Sequence, residues 1–107
     1  CAVLVDGEST FSCAVAASTL VGKGIITIEG ISEGGTLSAV QKAFLTETAA
    51  HCGYCTPGMI IATTALFDKN PNPKKQDILE ALQKHLCRCG SHARILKAID
   101  NMRSGHR

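Results

Sequence analysis

The apolar positions of this chain change period partway along. Over residues 1–35 they come in short runs, Ala2-Val3-Leu4-Val5 and later Ile25-Ile26-Thr27-Ile28, with glycine-rich loops around them. Asp6-Gly7 is a strong type I′ turn signal, so residues 1–13 are predicted to form a hairpin with Thr10-Phe11-Ser12-Cys13 as the return strand. Beyond Gly34-Gly35 the period is helical. Thr36 is placed to cap a first helix that presents Leu37, Val40, Phe44 and Leu45 and ends before His51. Thr56-Pro57 opens a second, a capping hydroxyl followed by proline at the first helical position. Its Met59, Ile60, Ile61, Ala62, Ala65, Leu66 and Phe67 are apolar on nearly every side, which predicts burial. Asn70-Pro71-Asn72-Pro73 breaks the chain, and a third helix carries Ile78, Leu79, Leu82 and Leu86. Ser91 is placed to cap a fourth, with Ile95, Leu96, Ile99 and Met102 inward.

These elements predict a mostly α fold: a four-helix bundle of two helix pairs, preceded by a β-hairpin. Each pair has a cysteine doublet in its connecting turn, so the architecture, though not the residues, repeats. The 107 residues suffice for one domain, or one domain and part of another. With no Trp, one Tyr and three Phe, the core has to come from aliphatic side chains, which suits helix-on-helix packing. No apolar run approaches the roughly 18 residues that a membrane span needs.

A net charge of +2 is too small to argue for nucleic acid. The cations are uneven, however: Arg88, Arg94, Lys97, Arg103 and Arg107, with His92 and His106, crowd the last twenty residues. A solvated helix face is the plain reading, and a docking surface for an acidic partner or a cofactor phosphate the sharper one. The chain begins at Cys1, inside what reads as a strand, so position 1 is taken as a truncation point. The lack of a leader therefore says little about compartment.

Four of the six cysteines, Cys52, Cys55, Cys87 and Cys89, follow the spacing C-x2-C-x31-C-x1-C. Paired doublets without a secretory leader favour metal over disulfides. An iron–sulfur cluster and a zinc ion both accept four thiolates, but the C-x-C doublet is uncommon in zinc sites. Each doublet lies where a helix is about to begin, so free N–H groups and the positive dipole end would face the negative charge of a thiolate-ligated cluster. Gly53 and Gly90 allow the backbone unusual dihedrals close to such a group. A zinc-stabilised helical interaction module without a redox role is the alternative.

His51-Cys52-Gly53-Tyr54-Cys55-Thr56-Pro57-Gly58-Met59, together with Leu86-Cys87-Arg88-Cys89-Gly90-Ser91-His92 and the helix after it, resembles the second [2Fe-2S] domain of the molybdenum hydroxylases. This is the xanthine oxidase, aldehyde oxidoreductase and carbon monoxide dehydrogenase family. Cys1-Ala2-Val3-Leu4-Val5-Asp6-Gly7 and Ser12-Cys13 look like the end of the family's plant-type, β-grasp ferredoxin domain, whose last two ligands are also separated by eleven residues. The resemblance thus implies three segments: residues 1–20 from a ferredoxin domain, a linker with a short strand at 21–35, and a helical [2Fe-2S]-binding domain at 36–107.

What the resemblance implies for function is an electron-transfer subunit with no substrate chemistry of its own. Cys52, Cys55, Cys87 and Cys89 would hold the molybdenum-proximal [2Fe-2S] cluster. Cys1 and Cys13 would be two of the four ligands of a second one, incomplete in this chain. Electrons would come from a large subunit's molybdopterin and leave toward FAD on a flavin subunit. His51, Gly53 and Arg88 are candidate molybdopterin-side contacts. His51 stands where the family commonly has glutamine, with a solvent-exposed histidine as the plain reading, and Arg88 can instead serve a salt bridge. Gly90-Ser91-His92 replaces the common Thr-Gly-Tyr and is similar to the turn in family members that act on N-heterocycles. Tyr54 is expected to pack beside the cluster, Met59 and Met102 to fill core, and His85 and His106 to lie on the surface. A cytoplasmic, prokaryotic setting without nucleic acid completes the expectation.

Overall fold

A computed structural model of the chain describes residues 1–103. It contains the hairpin and the four helices. Strand β1 (Ala2–Val5) pairs antiparallel with β2 (Glu8–Phe11), from Ala2 opposite Phe11 to Val5 opposite Glu8. Asp6 and Gly7 form the two-residue turn with φ of 49° and 86°, the left-handed pair that a type I′ turn demands. A loop that tight makes the return strand resume at Glu8, two residues before the expected Thr10. Ser12–Ala14 consequently becomes a 3-10 turn instead of strand. On the other edge of β1 lies β3 (Ile25–Ile26), giving the sheet order β2-β1-β3. Asp6 fastens that edge, accepting from the Gly24 N–H through its carboxylate and donating its own N–H to the Gly24 carbonyl, both at 2.8 Å.

Helix α1 (Ala39–Thr46) starts two residues later than Thr36 suggested. Its cap is Ser38, whose hydroxyl accepts from the Gln41 N–H while the Gln41 side chain accepts from the Ser38 N–H at 2.8 Å, a reciprocal capping box. Thr36 is occupied elsewhere: its backbone pairs with Glu33 across the Gly34-Gly35 turn. Helices α2 (Thr56–Lys69), α3 (Lys75–Leu82) and α4 (His92–Arg103) follow. Thr56 does not cap α2 as expected, because its hydroxyl has no hydrogen-bond partner. The helix instead begins at Thr56 itself, directly after Cys55.

The all-round apolar character of α2 has a plain cause: it separates two cores. Met59 and Ile60 pack with Val40, Phe44, Ile78, Ile95 and Ile99 of the other helices. Ile61 and Ala65 point the other way, against Leu4 of the central strand. Burying a side chain such as Ile61 stabilises the fold by about 1.5–3 kcal/mol, and here it ties sheet to bundle. Helix α1 packs against α4, α2 against α3, and α1 against α2.

Several apolar residues expected inside are not. Leu37 precedes α1, Leu45 and Leu79 sit on outer faces, and all three are exposed. Leu86 is 83% exposed because α3 ends at Leu82, four residues earlier. Leu96 and Met102 only pack along the rim of the helical core, whereas Met59 is fully inside it.

Candidate metal centre

Both cysteine doublets lie in loops that run directly into a helix. The first closes the α1–α2 connection, and the second closes the α3–α4 connection just before His92. The N-terminal ends of α2 and α4 therefore abut the thiol-bearing loops, so the free N–H groups and dipole of each favour negative charge there. Gly53 and Gly90 sit in the left-handed region, at φ of 83° and 76°. Nothing lies within 4 Å of where a Cβ would be at either position. Conformation, not crowding, is what selects glycine at both.

All six cysteines are free thiols; Cys55 and Cys87 are half-buried, and Cys1, Cys13, Cys52 and Cys89 exposed. The Ser91 backbone N–H donates to the Cys87 Sγ at 3.4 Å. That bond, helped by the Cys89 N–H, brings the Cys87 thiol down to about 7. Burial and the neighbouring Cys87 push the Cys55 thiol up. Of the two, Cys87 is the one poised to be a thiolate, the form that binds metal.

Cys52, Cys55 and Cys87 line a cavity of about 600 Å³, together with Tyr54, Leu86, Arg88 and His92. Cys89, exposed, is not on that wall. Among the described residues no three Cys, His, Asp or Glu side chains converge closely enough to share one metal ion. The doublets bracket a space, not a point. Such a space suits a group of several atoms better than a tetrahedral zinc, whose thiolate bonds are only about 2.3 Å long. Two buried hydroxyls without partners flank the doublets, Thr56 Oγ1 and Ser91 Oγ. Ser91 Oγ, an orphaned polar atom beside the Cys87 thiol, is what an additional bound group would explain. The thiols, helix ends and orphaned hydroxyl at Ser91 thus fit a [2Fe-2S] cluster.

Of the remaining expected site residues, Arg88 reaches the cavity and makes no ion pair with any described residue. His51 is exposed and off its wall. Gly53 borders a different, apolar groove of about 380 Å³ between α1 and the start of α2. Tyr54 edges the cavity but is 94% exposed, since no described residue covers it at the mouth. His92, read from the sequence as part of a basic run and of the turn after Cys89, stands on the cavity wall. In that run, Lys97 faces Glu47 at 3.9 Å and Arg103 pairs with Asp100, as on a solvated face. His106 and Arg107 lie outside the described residues.

His85 departs from expectation. It is half-buried, its ring 5.0 Å from that of Phe11, and burial holds its imidazole below the ordinary value. A Cβ at Gly58 would lie 3.0 Å from its Nδ1. The histidine is thus wedged between the hairpin and the first turn of α2, and no local signal marked it. Cys1 and Cys13 meet on the same side: the Ser12 N–H and hydroxyl donate to the Cys1 carbonyl at 2.9 and 2.6 Å. Both cysteines border a cavity of about 440 Å³ that Cys55, Gly58 and His85 also line.

Comparison with known proteins agrees with this geometry. Residues 27–100 match the family described as "[2Fe-2S] binding domain". The small FeS subunit of nicotinate dehydrogenase from Eubacterium barkeri is 41% identical over 99 residues, covering 92% of this chain and 63% of that protein. The xanthine dehydrogenase iron-sulfur-binding subunit of Escherichia coli O157:H7 is 44% identical over 102 residues, covering 92% of this chain and 64% of that one. The chain thus spans just under two thirds of the length of these relatives. Among solved structures, quinoline 2-oxidoreductase from Pseudomonas putida 86 superimposes with a TM-score of 0.85 at 34% identity, covering 100% of this chain and 70% of that chain. With doublets, helix starts, sequence and fold in agreement, the chain belongs to the [2Fe-2S]-binding domain family and is similar across it to the small iron–sulfur subunits of these dehydrogenases.

Proposed function

We propose that this chain is the electron-transfer part of a molybdenum-dependent hydroxylase or dehydrogenase, and that Cys52, Cys55, Cys87 and Cys89 hold its [2Fe-2S] cluster. The observation that carries the reading is the pair of doublets set at the starts of α2 and α4, with Cys52, Cys55 and Cys87 around one cavity and Cys89 exposed beside it. When bound, the cluster supplies a site for one electron at a time. The chain's own part is to hold that site and stabilise its charge. The ends of α2 and α4 favour its negative charge, the N–H of Ser91 points at sulfur, and Gly53 and Gly90 give the loops their shape.

The partners in this reading are a large subunit carrying molybdopterin and a second one carrying FAD. Arg88, on the cavity wall and without an ion pair among the described residues, faces the first of them. His51 and Gly53 keep their place as secondary candidates for that contact. Cys1 and Cys13 serve a second [2Fe-2S] cluster whose other ligands lie outside these residues. Nicotinate and quinoline, named in two of the relatives, put a nitrogen-containing aromatic ring forward as the partner's substrate class. No helix among the described residues is long and apolar enough to cross a membrane, and a cytoplasmic setting fits the proposed partners.

The test is iron, acid-labile sulfide and zinc per chain on anaerobically purified protein, with EPR after dithionite reduction. Two irons, two sulfides and a reduced-state signal are expected. One zinc and no signal would move the chain to the structural-module class.

A further inference from the structure

The hydroxyl of Ser91 is a polar group that the described residues leave unexplained. Ser91 is 1% exposed, and its Oγ is buried without a hydrogen-bond partner. Its position predicts a helix cap, in which the oxygen would accept from an N–H of the first turn of α4. It does not: the Ser91 carbonyl accepts from the Ile95 N–H at 3.0 Å, and the side chain takes no part. The Ser91 backbone N–H is directed instead at the Cys87 Sγ, 3.4 Å away.

A buried hydroxyl left unpaired is destabilising, because it has given up water and gained no partner. Replacing the thiol proton by metal changes what stands beside it. A thiolate sulfur on a cluster has no proton to donate and accepts only, and the inorganic sulfides are acceptors too. The Ser91 O–H then has acceptors where it now has none. Thr56, the other orphan, borders the apolar groove beside α1 and not the thiol cavity, so it does not share this role.

We propose that Ser91 is a positioning residue that sets the reduction potential of this centre, its hydroxyl donating to sulfur on the Cys87 side of the cluster. Electron uptake adds negative charge to the sulfurs. A donor aimed at them binds the reduced form more tightly than the oxidised one, so the hydroxyl raises the potential. This rests on the cluster assignment above and adds to it which side chain adjusts the centre.

The experiment is an EPR-monitored redox titration of the loaded protein as wild type, Ser91→Ala and Ser91→Thr, with iron and sulfide counted in each. Ser91→Ala is expected to shift the reduction equilibrium about tenfold toward the oxidised form, about 59 mV for one electron, and Ser91→Thr to restore the wild-type value. A loaded Ser91→Ala protein with unchanged potential would overturn the proposal while leaving the cluster assignment intact. An equal drop in both variants would overturn it as well, because packing would then be the cause. Wild-type protein without iron would instead overturn the cluster assignment itself.

A second measurement needs no variant. Hydroxyl protons exchange at once, whereas buried amides are protected. Pulsed EPR of the reduced wild-type centre after a brief transfer to D2O is expected to lose one strongly coupled proton. A spectrum that does not change would refute the hydroxyl contact.

Discussion

Gly58→Ala should destabilise the protein when His85 is present and stabilise it when His85 is absent. Two effects of opposite sign meet at this position. Glycine within a helix is disfavoured relative to alanine by about 0.8–1.0 kcal/mol, and Gly58 lies in the first turn of α2. Against that gain, the new Cβ would sit 3.0 Å from Nδ1 and 3.4 Å from Cε1 of His85. Comfortable separations are about 3.5–4.0 Å, so the ring has to retreat by roughly half an ångström. That shift disturbs its contact with the Phe11 ring, 5.0 Å away between centroids, while the His85 backbone N–H stays held by the Leu82 carbonyl at 2.9 Å. Overpacking of this kind costs about 1–3 kcal/mol, giving a net loss of about 0–2 kcal/mol for the single variant. In a His85→Ala background the clash disappears, and the same substitution should gain up to about 1 kcal/mol. A change of 1 kcal/mol moves the midpoint of a domain this size by about 4–8 °C. Thermal unfolding of the four proteins, followed by far-UV circular dichroism at matched iron content, reads the cycle. A Gly58→Ala effect of the same size and sign in both backgrounds would refute the wedge, since the two positions would then not be in contact.

Three further outcomes are expected. Cys55→Ser and Cys87→Ser should each abolish the EPR signal of the reduced cluster and lower the thermal midpoint, because the doublets join the α1–α2 and α3–α4 connections; full iron occupancy in either would contradict the ligand assignment. Gly53→Ala and Gly90→Ala should each cost about 1–2 kcal/mol from left-handed backbone strain alone, with asparagine costing less at both, and chemical denaturation of the variants beside wild type compares them. Ile99→Ala removes a fully buried side chain from the helical core and should cost about 2–5 kcal/mol in the same assay.

Helical periodicity located all four helices because each buries one face, or in α2 two, and burial repeats with the turn of the helix. It did less well at their ends. Thr36 and Ser38 both offer a hydroxyl ahead of α1. The deciding signal was Gln41, three residues after Ser38, which completes the reciprocal bond that Thr36 lacks. Leu37, Leu45, Leu79 and Leu86 have the right chemistry for a core and lie outside it, since periodicity records which residues are apolar and not what stands opposite them. The antiparallel partner of β1 across Asp6 and Gly24 was equally invisible, being a pairing between segments roughly twenty residues apart.

The metal centre divides along the same line. Everything carried by spacing was legible: the two doublets, the helices that start behind them, and the left-handed glycines. What required a third dimension was not. His85 belongs to the centre's surroundings only because the hairpin folds back over α2, and Ser91 reads as a cap until its N–H is seen to point at sulfur. The two misreadings differ in source: His85 is buried by packing that no local pattern records, whereas Ser91 was misread by a local rule. That rule assigns a polar side chain to its nearest backbone partner, whereas near a cluster the strongest local charge is on sulfur. Polar groups around such a centre are oriented by that charge. A helix-start serine that leaves its own helix uncapped is therefore a more informative feature than one that caps it.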